Sequence, residues 1–453
     1  MGWPMPDAET SVGPQALADE YGNMHNLGEE LARGGQGVVL RTEDADLAIK
    51  QPLDASGQAD QNANLRARFQ NIRILPIPPR IRVSLPLAIL RDEPGYVMRL
   101  LGGMQPFSHF EMDGKARQAL EAEGTPRPPW LADVADEAQA LRLLHYACTG
   151  STRRRLSALA QCASLLARLH GAGLVYGDIS ANNAFLAEEP SREVWLIDAD
   201  NLRFELPSGG ISVYTPSYGA PEVVRGTDAS RPRSDCWAFS VLAFKLLALA
   251  HPFLGQRVDQ ADDGEEGGWD AEPSAAGTPA DLQEQAYAGQ FPFVDDQDDA
   301  GNRSSTGLPR ALVATPGLRL LFQETFGAGR LQSHRRPPMF FWALELAKAF
   351  DLSLDCPACA MSYFADEHPK CPYCGTPRPA FLRAKTPRWE VLLAEGGSGF
   401  DLPHRLFHPF SFEHNDDPEG EAVVDFGART VVPVRGAQPF PDALTFAFVE
   451  AEP

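Results

Sequence analysis

"LVYGDISANNAFL", residues 174–186, decides how this chain is read. Two β-prone residues, Leu174 and Val175, run into Asp178, and Asn183 follows five positions later. Neither polar residue suits the end of a hydrophobic strand unless something charged is held there. A carboxylate and a carboxamide on one tight loop can accept a hydroxyl proton and bind a metal ion, as phosphoryl transfer demands. The rest of the chain must then supply a phosphate cradle, a lysine and a second metal-binding carboxylate.

Upstream, "ARGGQGVV" spans residues 32–39, where Gly34, Gly35 and Gly37 let backbone amides approach a polyphosphate with no Cβ in the way. Alone, this stretch reads more readily as an ordinary hairpin turn. "LAIK" follows, and Lys50 ends a β-prone run where an ammonium reaches phosphates as a point charge. Downstream, "VWLIDADN" places Asp198 at the end of a hydrophobic strand, as a metal-bridging carboxylate should be. Each piece is common by itself. The ordered set is not.

Composition narrows the class. The 453 residues are 43% hydrophobic and 22% charged, ordinary for a globular protein and long enough for two to four structural units. Lys plus Arg number 40 and Asp plus Glu 61, a formal charge of −21 that repels nucleic acid and anionic lipid. "MGWPMPDAET" lacks the basic and apolar blocks of a secretory signal, and Pro6 stands where a myristoylation signal wants Ser or Thr. The longest apolar run, "CWAFSVLAFKLLALA" from Cys236, is too short to span a bilayer and contains Lys245. The expectation is a cytoplasmic protein with no membrane span and no nucleic-acid partner.

Short β-prone runs at Val38–Leu40, Leu47–Ile49 and Tyr96–Met98 flank one helix around Ala63–Asn71. "RRRLSALAQCASLLARLHGAG" has apolar residues at helical spacing, with Gly171 and Gly173 as stops. Residues from about 256 to 300 are acidic and rich in Gly, Pro and Ser, and read as a surface insertion. "PPMFFWALELAKAF" predicts a last helix before a cysteine-rich segment, and β-prone runs alternate with turns after Pro379.

With these residues in order, residues 28 to 350 resemble the eukaryotic-type protein kinase family. The glycine-loop pattern falls on Ala32, Gly34, Gly37 and Val39, with Ala32 in place of the first glycine. The family's lysine falls on Lys50, its catalytic-loop Asp and Asn on Asp178 and Asn183, and its D-F-G on "DAD" with Asp198. Its A-P-E falls on Ala220, Pro221 and Glu222, its helix-borne anchor on Asp235, and its late arginine on Arg336. The resemblance implies an α+β, bilobal kinase-like fold: a lead-in over 1–26, an N-lobe over 27–101 and a C-lobe over 102–350. It implies ATP and Mg2+, with Lys50, Asp178, Asn183 and Asp198 catalytic. Gly34, Gly35, Gly37, Val39, Ala48, Lys50, Met98, Asn183 and Asp198 would line the nucleotide, and Asn183 and Asp198 would hold Mg2+. It also implies that Asp235 anchors the catalytic loop and that Arg336 pairs with Glu222.

The departures are informative. Tyr176-Gly177 replaces the usual His-Arg, so no arginine waits there for an activation-segment phosphate. Ser180 stands at a position usually lysine, and no acidic residue lies between Asp60 and Asp92 to pair with Lys50 from a helix. Three readings follow: an active Ser/Thr protein kinase, a nucleotide-binding pseudokinase scaffold, and a small-molecule kinase. The A-P-E segment, with Thr215 three residues before Tyr218, favours a protein substrate.

"CPAC" at 356–359 and "CPYC" at 371–374 offer four thiolates for a closed tetrahedral site. Zinc at Cys356, Cys359, Cys371 and Cys374 is the expectation, with iron a lesser alternative and paired disulfides the bland one. Its ribbon would span 352–379, and a small β-rich module 380–453, with a core separate from the kinase's. Cys148, Cys162 and Cys236 read as core residues, and His170 and His251 as structural. Kinase motifs with a C-terminal cysteine pair also resemble a bacterial group in tellurium-resistance-type gene clusters. That likeness implies a von Willebrand type A protein and a metal-dependent phosphatase as partners.

Overall fold

The computed structural model describes residues 16–34, 37–54, 56–62, 64–122, 127–132, 134–188, 191–205, 214–262, 278–396, 399–410, 418–434, 440 and 442–451. The chain forms two compact units. Met1–Ile77, Val83–Met104 and Leu196–Arg203 make the first; Pro78–Arg82, Gln105–Trp195 and Phe204–Pro453 make the second.

The first unit is built on a six-stranded sheet. Its strands are β1 (Ala16–Ala18), β2 (Met24–Gly34), β3 (Gly37–Thr42), β4 (Leu47–Pro52), β5 (Ala88–Ile89) and β6 (Tyr96–Arg99). They lie in the order β1-β2-β3-β4-β6-β5, and every pairing is antiparallel. Alternation along β4 and β6 sorts the side chains into two sets. Ile49 and Val97 pack with Leu17, Ala88 and Leu90 in an apolar core. The alternating set is Ala48 and Lys50 on β4 with Tyr96 and Met98 on β6, and Ala48 stands opposite Met98 in register. Helix α1 (Asn64–Arg73) buries Leu65, Phe69 and Ile72, one face at helical spacing.

Part of the expected lead-in is ordered structure. β1 pairs with β2, so Ala16 stands opposite Asn26. The turn between them is closed by buried Asp19, whose carboxylate accepts from the amides of Tyr21 and Asn23 and from the Asn23 side chain. These bonds outweigh burial and hold Asp19 down to about 2. Turn-forming polar residues without hydrophobic periodicity hide such an edge strand from sequence reading.

The second unit is mainly helical. The long helix Ser151–Gly171 buries Leu156, Leu159, Cys162, Ala163, Leu166 and Leu169 along one face. The last helix, Met339–Asp351, packs along it. The helix Pro232–Ala248 is apolar nearly all round and correspondingly central, with Trp237, Phe239, Leu242 and Leu246 buried. The expected surface insertion contracts. Residues 263–277 lie outside the described set, but the helix Pro279–Tyr287 is capped by Thr278, and Phe291, Phe293 and Val294 are core. Phe293 packs against Phe326 at 5.1 Å, and burying such a ring is worth about 2 kcal/mol. Acidic neighbours masked these aromatics. Cys162 and Cys236 are buried as expected, but Cys148 is exposed at the end of its helix.

Beyond the last helix, Ser353–Asp355 pairs with Ser362–Phe364 around the first cysteine pair. Phe381–Lys385 pairs with Glu390–Ala394 and Thr445–Val449; Gly399–Pro403 and Thr430–Pro433 flank Pro418–Asp425. The larger apolar core of this tail is continuous with the last helix. Leu344 and Ala347 of the last helix cluster with Leu382, Ala384, Trp389 and Leu406. Buried Asp351 accepts from Arg405 at 2.6 and 2.7 Å and from the Trp389 indole at 2.7 Å. The cysteine segment shares a second cluster with the tail, joining Cys356, Tyr363 and Cys371 to Phe381 and Leu392. None of the described helices is long and apolar enough to cross a membrane.

Candidate functional site

Lys50 belongs to the first unit. It stands opposite Val39 on β3 and Tyr96 on β6, and only 5% of it is exposed. Its Nζ contacts Asp198 Oδ1 at 2.5 Å and Asp200 Oδ2 at 2.9 Å. Burial pushes the ammonium's pKa down, but the two carboxylates outweigh it and leave Lys50 above the ordinary lysine range. Helix α1 carries no acidic residue, as the sequence indicates, and Lys50 finds its carboxylate partners elsewhere. The partner comes from the segment after β-prone Val194–Leu196, not from α1. Asp198 adopts φ 56° and ψ 60°, a left-handed conformation Asp tolerates better than most residues and one found at functional sites.

The glycine loop joins β2 to β3. Gly34 and Gly37 are register partners, while Gly35 lies outside the described residues. A Cβ at Gly37 would meet Gln51 O at 2.8 Å, so glycine is required there by the close approach of β4. At Gly34 a Cβ would meet nothing within 4 Å, leaving that backbone open to a ligand. Ala48 is fully buried and Met98 9% exposed on the face that carries Lys50.

Asp178 and Asn183 belong to the second unit, on the loop after Leu174–Val175. Asn183 Nδ2 donates to the Asp178 carbonyl at 2.9 Å and approaches its Oδ2 at 3.3 Å. Thr215 Oγ1 donates to Asp178 Oδ1 at 2.7 Å. The loop is suspended from Asp235, which accepts from the amides of Tyr176 and Gly177 at 2.8 and 2.9 Å. His170 also engages Asp235, at 3.0 Å, a role that its place on an apolar helix did not announce. Gly177 has φ 85°, where an arginine would be strained. Arg336 clamps Glu222 with two bonds of 2.6 and 2.7 Å, the pairing that the resemblance implied. His251 is buried and bonds the Ser217 carbonyl, so its structural reading stands with a specific partner.

The thiols of Cys356, Cys359, Cys371 and Cys374 converge, with all ligand atoms within 4.8 Å of one another. Cys356 to Cys374 and Cys359 to Cys371 measure 3.6 Å, near the ~3.8 Å separating tetrahedral thiolates about 2.3 Å from zinc. Each pair sits on a turn ending in a left-handed residue, Ala360 (φ 57°) or Gly375 (φ 73°). The donor set fits zinc.

Residues 125–269 match the family model described as protein kinase domain. The chain is similar to the death-associated protein kinase dapk-1 of Caenorhabditis elegans, 35% identical over 95 residues, which is 20% of this chain and 6% of that protein. Serine/threonine-protein kinase PknL of Mycobacterium tuberculosis is 35% identical over 94 residues, 20% of this chain and 23% of PknL. Serine/threonine-protein kinase pkn2 of Myxococcus xanthus is 31% identical over 110 residues, 22% and 13% of the two chains. The chain spans less than a quarter of the length of these relatives. The matched segment is thus similar to protein kinase domains, and each of these relatives is a protein kinase.

Proposed function

We propose that the chain transfers the γ-phosphoryl group of ATP to serine or threonine hydroxyls of protein substrates, itself included. The bond between Thr215 and Asp178 carries this reading, because it places a hydroxyl 2.7 Å from the carboxylate in the kinase-matching segment. Hard oxygen donors at Asp198 and Asn183 suit Mg2+, and the open backbone at Gly34 suits phosphate. When bound, ATP supplies the transferred group and Mg2+ offsets its charge. Asp178 accepts the hydroxyl proton, Asn183 fixes the loop that carries it, and Asp235 holds that loop through two backbone amides. Lys50 supplies positive charge toward phosphate from a strand whose neighbours fix its stem.

Zinc held by Cys356, Cys359, Cys371 and Cys374 would be structural, since four thiolates leave no open position. The gene-cluster likeness extends the proposal to bacterial signalling in the cytoplasm, with a von Willebrand type A protein and a metal-dependent phosphatase as partners. The experiment is transfer from radiolabelled ATP to a generic basic protein, with an Asp178→Asn control. Label with the wild-type protein and none with the variant is expected. Nucleotide binding without any transfer would favour the pseudokinase reading, which the absence of a helix glutamate and buried Ser180 make specific.

A further inference from the structure

Asp200, the third residue of "DAD", stands two positions after the proposed magnesium ligand. It is 9% exposed, and its two carboxylate oxygens have separate partners. Oδ1 accepts from the Tyr96 hydroxyl at 2.8 Å, and Oδ2 meets Lys50 Nζ at 2.9 Å. Its backbone carbonyl accepts both Nε and Nη2 of Arg68, at 2.9 and 2.6 Å, from helix α1. Arg68 Nη2 also reaches Asn201 Oδ1 at 3.0 Å. One residue on, Phe69 packs edge-on against Tyr96 at 4.8 Å, behind the hydroxyl that aims the carboxylate. Helix α1 thus holds Asp200 by two routes, through Arg68 and through Phe69 and Tyr96.

We infer that Asp200 is the positioning residue for Lys50, replacing in this chain a carboxylate that helix α1 does not carry. The inference rests on the kinase reading for the meaning of Lys50. Asp198 also touches Lys50, but a carboxylate engaged on Mg2+ has less charge to offer an ammonium. Asp200 is already fixed by Tyr96 and by its backbone, so it keeps the lysine in place when Asp198 turns to metal. The position of α1 is then relayed to Lys50 through Arg68 and Tyr96, without an acidic residue on the helix.

The test is a double-mutant cycle read as affinity for ATP with Mg2+ by calorimetry, using Asp200→Asn, Lys50→Met and both together. Asp200→Asn keeps an acceptor for Tyr96 but turns an amide toward the ammonium. It should weaken ATP binding about tenfold or more and lower kcat/KM. In the Lys50→Met background it should change affinity less than about twofold, since its effect passes through that lysine. Asp200→Glu should recover part of the loss. Wild-type affinity in Asp200→Asn would overturn the inference. So would losses that add in full, or a loss reversed by raising Mg2+, which would make Asp200 a metal ligand. Should Asp200→Asn fail to fold, Tyr96→Phe, which removes only the aiming hydroxyl, carries the same cycle with an expected loss of about threefold. Because affinity is measured without turnover, the cycle stands even if the wild-type protein transfers no phosphate. Transfer with a flat cycle would sink the inference alone.

Discussion

On the proposed function, Asp178, Lys50 and Asp198 would serve nucleotide and acceptor rather than the apolar cores, and their substitution should separate activity from stability. Lys50→Met and Asp198→Asn should each lower phosphoryl transfer by about a hundredfold or more, roughly 2.7 kcal/mol in the barrier, with cooperative unfolding retained. Transfer at the wild-type rate in either variant would contradict the assignment. Two histidines make a second prediction. Burial, helped by Arg155, holds His145 down to about 4, and burial holds His251 down to about 3. Below the ordinary value of 6.5 the unfolded chain binds protons that these folded sites refuse, so stability falls as pH drops from about 6.5 toward 4. Each site contributes up to about 1.4 kcal/mol per pH unit in that window. Urea unfolding between pH 7 and 5 should show this slope, and His251→Gln should shallow it by about one proton. An unchanged slope would contradict the buried neutral state. At this scale the motif residues were legible because their spacing is chemical. Asp200, Arg68 and Tyr96 were not, since nothing in their spacing shows that a strand and a helix converge on one carboxylate.

The pairing of Glu222 with Arg336 ties the short helix Pro221–Val224 to the segment before the last helix. The Arg336 side chain is fully buried, lies over Trp237 at 4.9 Å and also donates to the Gly329 carbonyl. Glu222→Gln leaves that guanidinium short of charge and should cost about 3 kcal/mol, and Arg336→Lys should not restore a two-pronged contact. Chemical denaturation showing less than about 1 kcal/mol would contradict the clamp. The activation segment yields a different prediction. Gly177 has no side chain to receive a phosphate, so dephosphorylated protein should keep activity within about tenfold, roughly 1.4 kcal/mol. Besides Thr215, that segment offers the hydroxyls of Ser208, Ser212, Tyr214 and Ser217 as acceptors, of which Ser208 and Ser212 lie outside the described residues. A larger loss, restored by phosphate on that segment, would show another basic group doing this task. Strands β3, β4 and β6, helix α1, the long helix and the last helix were all legible from period and stops. β1 and the Phe291–Val294 core were not, because turn-forming and acidic neighbours concealed short apolar pieces.

The segment after the last helix belongs to the same compact unit as the helices instead of following them as a separate body. Ser362 Oγ accepts from the Arg153 amide at 2.7 Å, and the Ser362 amide donates to Ser151 Oγ at 2.8 Å, both at the start of the long helix. Arg153 also donates to the Phe350 carbonyl at 3.1 Å. The apolar cluster around the cysteines draws only on residues after the last helix, as expected, but these polar contacts tie it to the long helix, which no local pattern announces. The protein should therefore bind one equivalent of zinc, and chelation should lower the melting temperature of the helical unit by several degrees rather than loosen the ribbon alone. An unchanged transition after verified metal removal would contradict that coupling. At the scale of the whole molecule stands the proposed transfer of phosphate to protein hydroxyls. Its most direct measurement incubates the wild-type chain with ATP and Mg2+ beside an Asp178→Asn copy distinguishable by mass, then locates phosphate by mass spectrometry. Phosphoserine or phosphothreonine on the variant copy, absent when the variant is incubated alone, is the predicted result. ATP consumed with no phosphate on any protein residue, or phosphate appearing equally without the wild-type chain, would contradict it.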